Sequence, residues 1–189
     1  MDKAETVYVA GHKGMVGSAI LRNLKVKGYK SILQATSAQL DLRNQKAVRN
    51  FFHTHRPKSV VVAAATVGGI QANNEFKGDF IYNNLQIQTN IIQAAKETRV
   101  KKLIFLGSSC IYPKEAPQPI IEESLLTGPL EPTNEPYAIA KIAGLKLCES
   151  FYHQHHCNFY SLMPCNLYGI NDNFDLNSSH VLPALLRKF

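Results

Sequence analysis

Three glycines spaced three apart, Gly11, Gly14 and Gly17, separate an apolar β-branched run, Thr6 to Ala10, from a stretch of helical period running from about Met15 to Lys27. A strand, a glycine turn and a helix start in that order point to a parallel βα unit whose turn admits a phosphate chain. Gly11 allows the tight turn, Gly14 lets the backbone approach a pyrophosphate, and Gly17 lets the helix lie close on the strand, with the helix N-terminus facing the anion. The pattern then repeats. Ser31 to Ala35, Val60 to Ala65, Leu103 to Leu106 and Tyr160 to Pro164 read as further strands, with Val48 to His53, Phe80 to Glu97 and Tyr137 to Tyr152 as the helices between them. Such alternation predicts an α/β fold, a Rossmann-type doubly wound parallel sheet. The proline-rich segment Tyr112 to Pro136 can sustain neither a long helix nor a central strand and is expected to be an ordered loop.

With 189 residues, 45% of them AVILMFWYC and 19% charged, the chain can build one core and does not have the composition of a disordered polymer. No apolar run reaches the roughly 18 residues of a membrane span. The polar start, Met1 to Glu5, leads into the first strand without a signal-peptide pattern, so a cytoplasmic setting and no membrane partner are expected. Cys110, Cys148, Cys157 and Cys165 show no CxxC spacing and read as free thiols. A net charge of +7 suits either nucleic acid or a phosphorylated small ligand. The densest basic groups, Lys25, Lys27 and Lys30 and then Lys101 and Lys102, lack aromatic interleaving, which favours the small ligand and argues against nucleic acid. The tract His153-Gln154-His155-His156-Cys157 has no second ligand cluster, so no metal is expected. Leu185 to Phe189 reads as part of an apolar-faced helix.

Two short segments carry candidate chemistry. Tyr137 and Lys141 stand four apart at a helix start and share one face. Gly107-Ser108-Ser109-Cys110 follows a strand, which places hydroxyls and a thiol at the carboxyl edge of a parallel sheet, where ligands bind. A lysine beside a phenol is expected to lower its pKa, and a serine hydroxyl can bind the carbonyl oxygen that the tyrosine protonates, which together make carbonyl-reducing machinery. Ser31 to Ser37 contains no carboxylate to oppose a 2′-phosphate, and Lys13 and Ser37 could bind one, which favours NADP over NAD. Asp41 and Leu42 are then expected beside the adenine. From the residues alone, Lys13 could equally be a solvated loop lysine, Cys110 a small buried hydrophobe, and His180 a polar residue at a helix N-terminus.

Together with Val67-Gly68-Gly69-Ile70, Ile111-Tyr112-Pro113, Glu131 to Ala138 and Asp172-Asn173-Phe174, these features resemble the extended short-chain dehydrogenase/reductases, and among them the GDP-L-fucose synthases. The resemblance runs from Val7 to Phe189. It implies that residues 1–189 form one NADP-binding Rossmann domain with the catalytic residues, without most of the family's C-terminal substrate domain. It also implies an NADP-dependent enzyme that epimerises GDP-4-keto-6-deoxy-D-mannose at C3 and C5 and reduces it at C4, working as a homodimer through the Phe80 to Glu97 and Tyr137 to Tyr152 helices. The implied catalytic set is Ser108 to orient the carbonyl, Tyr137 as acid, Lys141 as its modulator and ribose ligand, and Cys110 with His180 as the epimerising pair. The implied cofactor contacts are Gly11, His12, Lys13, Gly14, Met15, Val16, Gly17, Ser37, Asp41, Leu42, Leu106, Gly107, Ser109, Lys141, Pro164, Asn166, Leu167 and His180, with Asn166 and Lys188 toward the sugar nucleotide. The sequence departs from the family pattern at Ser37, Cys165 and Ile170, where a basic residue, a threonine and a proline are usual. Another nucleotide-sugar epimerase or dehydratase, or a non-catalytic dinucleotide-binding protein, stays open beside this expectation.

Overall fold

In the computed structural model, which describes residues 2–175 and 178–189, Val7–Ala10 (β1) is buried at all four positions and lies in the middle of a parallel sheet. Ile32–Leu33 (β2), Ser59–Val62 (β3), Lys102–Leu106 (β4) and Phe159–Leu162 (β5) complete it in the order β2-β1-β3-β4-β5, every pair parallel. β1 and β3 are buried at every position because both faces are covered, whereas β4 alternates buried Leu103 and Phe105 with half-buried Ile104 and Leu106. The helices are Met15–Val26 (α1), Gln45–His55 (α2), Ile70–Glu75 (α3), Lys77–Glu97 (α4), Glu135–His155 (α5) and Val181–Lys188 (α6). α2, α4 and α5 pack side by side on the sheet, and α1 packs on β1. No helix among the described residues is long and apolar enough to cross a membrane.

The doubly wound parallel architecture expected from the sequence is present, with corrections at the element ends. The strand expected at Ser31 to Ala35 shrinks to two residues, because β2 is an edge strand with β1 as its single neighbour. The strand expected at Val60 to Ala65 stops at Val62, where the register Ala10↔Val62 ends, and Ala63 and Ala64 pass under the glycine turn. α2 starts earlier than Val48 because Asn44 caps it, its side-chain oxygen accepting from the Ala47 amide at 3.0 Å. The helix expected at Phe80 to Glu97 begins at Lys77, preceded by the separate α3. The proline-rich loop holds only a one-turn 3₁₀ segment, Glu122–Ser124, and Lys114 N–H donates to the Pro129 carbonyl across it.

The buried face of α4 runs through Phe80, Asn84, Gln88, Ile91 and Ala95. Its amides tie loops down. Asn84 brackets Thr66, accepting from its N–H and donating to its carbonyl, both at 2.9 Å. Asn90 donates to the Leu42 and Arg43 carbonyls at 3.0 Å, and Gln88 donates to the Ala140 carbonyl at 2.5 Å. Buried polar groups that are fully paired in this way fix a single arrangement, so α4 holds the loops at the carboxyl edge of the sheet in register with one another.

Candidate active site

The glycine turn between β1 and α1 is closely packed, backbone against backbone. Gly11 adopts φ +83°, and a Cβ there would lie 2.6 Å from the Ala64 nitrogen. A Cβ on Gly17 would lie 2.1 Å from the Gly11 carbonyl oxygen, so helix and turn touch backbone to backbone. Gly14, by contrast, has only that same oxygen at 3.5 Å and opens outward. Gly14 also caps α1 without a side-chain bond, and the first turn of α1 carries no acidic residue. Its first amides therefore present positive partial charge with no competing carboxylate. His12 places Nδ1 in the interior without a hydrogen-bond partner, and burial, then Lys13, hold its imidazole below the usual pKa. An open glycine, unpaired helix amides and an orphaned ring nitrogen in one turn fit a dinucleotide diphosphate.

The adenosine end of such a ligand would meet the loop after β2. Thr36 donates through both its N–H and its hydroxyl to Gln39 Oε1, at 2.9 and 3.0 Å, which shapes the turn that carries exposed Ser37. Asp41 is gripped by Arg43, with Nε to Oδ1 at 3.0 Å and Nη2 to Oδ2 at 2.9 Å, and this pairing holds its carboxyl below the usual range. Arg43 also reaches Asn83 Oδ1 at 3.3 Å. The sequence had not singled out Arg43; its effect is that the one carboxylate in the Asp41-Leu42 region is neutralised. Lys13 and Ser37 are both exposed, as a phosphate-binding pair requires.

At the carboxyl edge of β4, Gly107 N–H donates to the Leu162 carbonyl at 2.8 Å and Ser109 N–H to the Pro164 carbonyl at 3.2 Å, joining the ends of β4 and β5. The chain then turns into a 3₁₀ segment, Ser109–Ile111, whose cap is Ser108: its hydroxyl oxygen accepts from the Cys110 N–H at 3.4 Å. α5 packs against this turn. It approaches closely because Gly144 faces the Phe105 ring, where a Cβ would come within 2.5 Å of Cζ. That approach brings Lys141, 4% exposed, under the sheet edge. Its Nζ donates to the Leu106 carbonyl at 2.8 Å and lies 4.9 Å from the Phe105 ring centroid and 5.6 Å from that of Tyr137.

Ser108, Cys110, Tyr137 and Lys141 thus converge, and their protonation follows from their burial. Burial pulls the Lys141 ammonium down to about 8, against an upward pull from Cys110. Burial pushes the Tyr137 phenol up, with Cys110 adding to the rise. The expected lowering of the phenol by Lys141 therefore does not prevail: desolvation acts on both groups, and it weakens the lysine charge that would have done the lowering. Burial likewise pushes the Cys110 thiol up, while hydrogen bonds from Ser108 and Asn134 and the Lys141 charge pull it back.

The other expected residues lie apart from this cluster. His180 is the exposed cap of α6, held through the preceding segment, where Gly69 N–H donates to the Ser178 carbonyl at 2.8 Å and Gly69 has no room for a side chain beneath Ser179. Among the described residues no hydrogen bond joins His180 to Cys110. Asn166, Leu167 and Lys188 are exposed and Pro164 is half-buried. Asn171 donates to the Ser18 hydroxyl at 3.0 Å, drawing the loop after β5 over the start of α1. The histidines that end α5 meet aromatic rings edge-on, His155 with Phe151 and His153 with Tyr152, and no group of three or more His, Cys, Asp or Glu among the described residues could hold a metal ion. All four cysteines are free. A hollow of about 270 Å³ lined by Cys148, Tyr152 and Tyr160 lies at the far end of α5 and shares no residue with the cluster.

The model of a family described as NAD dependent epimerase/dehydratase matches residues 7–189. The chain is 58% identical over 189 residues to a putative GDP-L-fucose synthase 2 of Arabidopsis thaliana, covering 100% of this chain and 58% of that protein. Among solved structures it resembles a GDP-D-glycero-L-gluco-heptose synthase from Campylobacter jejuni, determined in the presence of NADPH, with a TM-score of 0.95 and 44% identity over 100% of this chain and 55% of that one. A GDP-L-fucose synthetase from Naegleria fowleri bound to NADP superposes with a TM-score of 0.91 at 33% identity, covering 100% of this chain and 62% of that one. The chain therefore spans about 58% of the length of the curated relatives that it matches.

Proposed function

Since the chain belongs to the NAD dependent epimerase/dehydratase family, we propose that it is the cofactor-binding and catalytic part of a cytoplasmic enzyme that converts GDP-4-keto-6-deoxy-D-mannose to GDP-L-fucose, by epimerisation at C3 and C5 and NADPH-dependent reduction at C4. The observation that carries this reading is the convergence of a thiol, Cys110, with the Ser108, Tyr137 and Lys141 cluster at one sheet edge. A reductase alone needs the last three; a base beside them suits proton removal next to the same ketone.

The glycine turn and the N-terminus of α1 would hold the diphosphate, Lys13 and Ser37 the 2′-phosphate, Asp41 and Leu42 the adenine, and Lys141 the ribose, with the edge residues from Leu106 to Ser109 and from Pro164 to Leu167 beside the nicotinamide. Bound NADPH supplies the hydride for C4. Tyr137 holds its proton firmly because burial raises the phenol, so it donates only to an oxygen that has become strongly basic, as an alkoxide forming at C4 is. Ser108 supplies a hydroxyl to the same oxygen. The C4 ketone acidifies the protons on C3 and C5, so one base and one acid serve both carbons. Cys110 as thiolate takes the proton from carbon, and His180 returns one to the opposite face.

The likeness to the GDP-heptose synthase favours a second reading, in which the same cluster acts on a GDP-linked keto-heptose. Product analysis decides: incubation with NADPH and GDP-4-keto-6-deoxy-D-mannose yields GDP-L-fucose under the first reading and returns the sugar unchanged under the second. We also propose a homodimer through α4 and α5, supported by Tyr82, Ile139 and Tyr152, which these helices leave exposed. Light scattering at micromolar concentration is expected to give twice the chain mass.

A further inference from the structure

Gly68 and Gly69 share one peptide group, and it is held at both ends. Its carbonyl, on Gly68, accepts from the Asn73 side-chain amide at 2.6 Å, and its N–H, on Gly69, donates to the Ser178 carbonyl at 2.8 Å. The Asn73 amide also reaches the Gly69 carbonyl at 3.1 Å. The backbone has already closed the first turn of α3, since Asn73 N–H donates to the Gly69 carbonyl at 3.0 Å, so the side chain is not needed for that. Asn73 is 8% exposed, whereas Asn74, the same residue type on the same helix, lies in solvent, and Asn73 Oδ1 has no partner among the described residues. What this buried carboxamide contributes is therefore its donation to the diglycine. Glycine on both sides explains the need, because neither residue has a Cβ to restrict rotation of the peptide between them. Neither can be larger: a Cβ on Gly68 would come within 3.2 Å of the Phe80 ring and 3.0 Å of Ala72, and one on Gly69 would collide with the Ser179 carbonyl oxygen. Hydrogen bonds that share a peptide group polarise one another, so donation from Asn73 strengthens the hold on Ser178.

We propose that Asn73 is a positioning residue for His180, acting through the Gly68–Gly69 peptide. Asn73 fixes the plane of that peptide, the plane holds Ser178 and Ser179, and His180 follows directly, starting α6 by accepting from the Ala184 N–H at 3.1 Å. This rests on the reading of His180 as the acid that returns a proton to C3 and C5, and it adds what places that acid. The same loop is anchored by α4, whose Asn84 brackets Thr66 and whose Phe80 ring lies against Gly68. The acid is thus held from α3 and α4, apart from the turn after β4 that carries Cys110 and from α5, which carries Tyr137. Exchange and inversion can then be uncoupled. Cys110 removes the proton from carbon and can return a solvent proton to the same face, whereas inversion requires His180 to give one to the opposite face.

Two substitutions reach this clamp from opposite sides. Asn73→Asp keeps the shape but cannot donate and sets a carboxylate against two carbonyls, while Gly69→Ala keeps the Asn73 amide and forces a Cβ onto the Ser179 carbonyl. In hydrogen–deuterium exchange of the whole chain without sugar, the amides of α6 are expected to exchange about tenfold faster in each variant, with α1, α5 and the NADPH affinity as in the wild type. Unchanged α6 amides, or equal acceleration in α1 and α5, would overturn the proposal. With GDP-4-keto-6-deoxy-D-mannose in heavy water, NMR of the recovered sugar nucleotide is expected to show inversion at C3 and C5 reduced about tenfold relative to deuterium uptake. On a His180→Gln background, Asn73→Asp is expected to lower that ratio no further, and an equal fall on both backgrounds would mean that Asn73 acts elsewhere and that the proposal fails. The α6 amides are read without sugar, so they decide the clamp even where product analysis overturns the assignment of His180 as the acid.

Discussion

Tyr137 and Lys141 belong to a helix pressed on β4 through a glycine and tied to the sheet edge by a buried ammonium, whereas His180 caps and Lys188 ends α6, whose Val181, Leu182, Leu185 and Leu186 are all exposed. The same contrast runs through the sheet. Every residue of β1 is buried, while β5 leaves Tyr160 and Leu162 about half exposed. The chain's own packing therefore fixes the cofactor turn and the cluster of Ser108, Cys110, Tyr137 and Lys141, but holds the loop after β5 and α6 by a few polar contacts, such as Asn171 to Ser18 and Arg187 to the Phe174 carbonyl. The residues proposed for reduction lie in the firmly held region; the proposed epimerisation acid and sugar contacts lie in the loosely held one.

That contrast can be broken most forcefully at the glycines. Gly17→Ala forces a Cβ onto the Gly11 carbonyl and is expected to cost about 3 kcal/mol, read as a lower urea midpoint, and to abolish dinucleotide binding. A midpoint near that of the wild type would mean that the turn is not tightly packed.

Lys141 gives the next largest effect. Its folded pKa, about 8, lies below the ordinary 10.5, so between these values the unfolded chain binds the extra proton and stability rises with pH. Relative to Lys141→Met, the wild type should gain up to about 3 kcal/mol between pH 7.5 and pH 10.5 in paired urea titrations. A constant difference would place Lys141 in water.

Lys13→Ala is expected to weaken NADPH roughly fivefold, about 1 kcal/mol, and to leave NADH unchanged in fluorescence titrations. Equal losses for the two would remove Lys13 from the 2′-phosphate. The smallest effect belongs to the open region: Leu186, 63% exposed, should tolerate alanine within about 0.5 kcal/mol.

The sequence reveals the firm region far better than the loose one. Periodicity and the glycine spacing locate β1, α1, β4 and α5 to within a few residues, because each is set by local pattern and burial together. They miss what depends on a neighbour: β3 ends where β1 stops pairing with it, although Ala63 to Ala65 are as apolar as the strand itself. They also miss Asn84, Gln88 and Asn90, since amides on a helix read as its solvent side; the cue was that Asn84 and Gln88 fall in step with Phe80 and Ile91 on the face that proves buried. Local chemistry likewise located Tyr137 and Lys141 but could not weigh burial against charge, so the rise of the phenol emerged only from the packing.

The most direct test of the central claim uses heavy water. With the chain in excess over GDP-4-keto-6-deoxy-D-mannose and NADPH, NMR of the recovered sugar nucleotide reads deuterium at C3 and C5 alongside reduction at C4. Tyr137→Phe is expected to exchange both positions while reduction falls by about 10²- to 10⁴-fold. Cys110→Ser is expected to bind NADPH and not to exchange, since a serine hydroxyl is far too weak an acid to replace a thiolate. Exchange in Cys110→Ser at the wild-type rate would contradict the account.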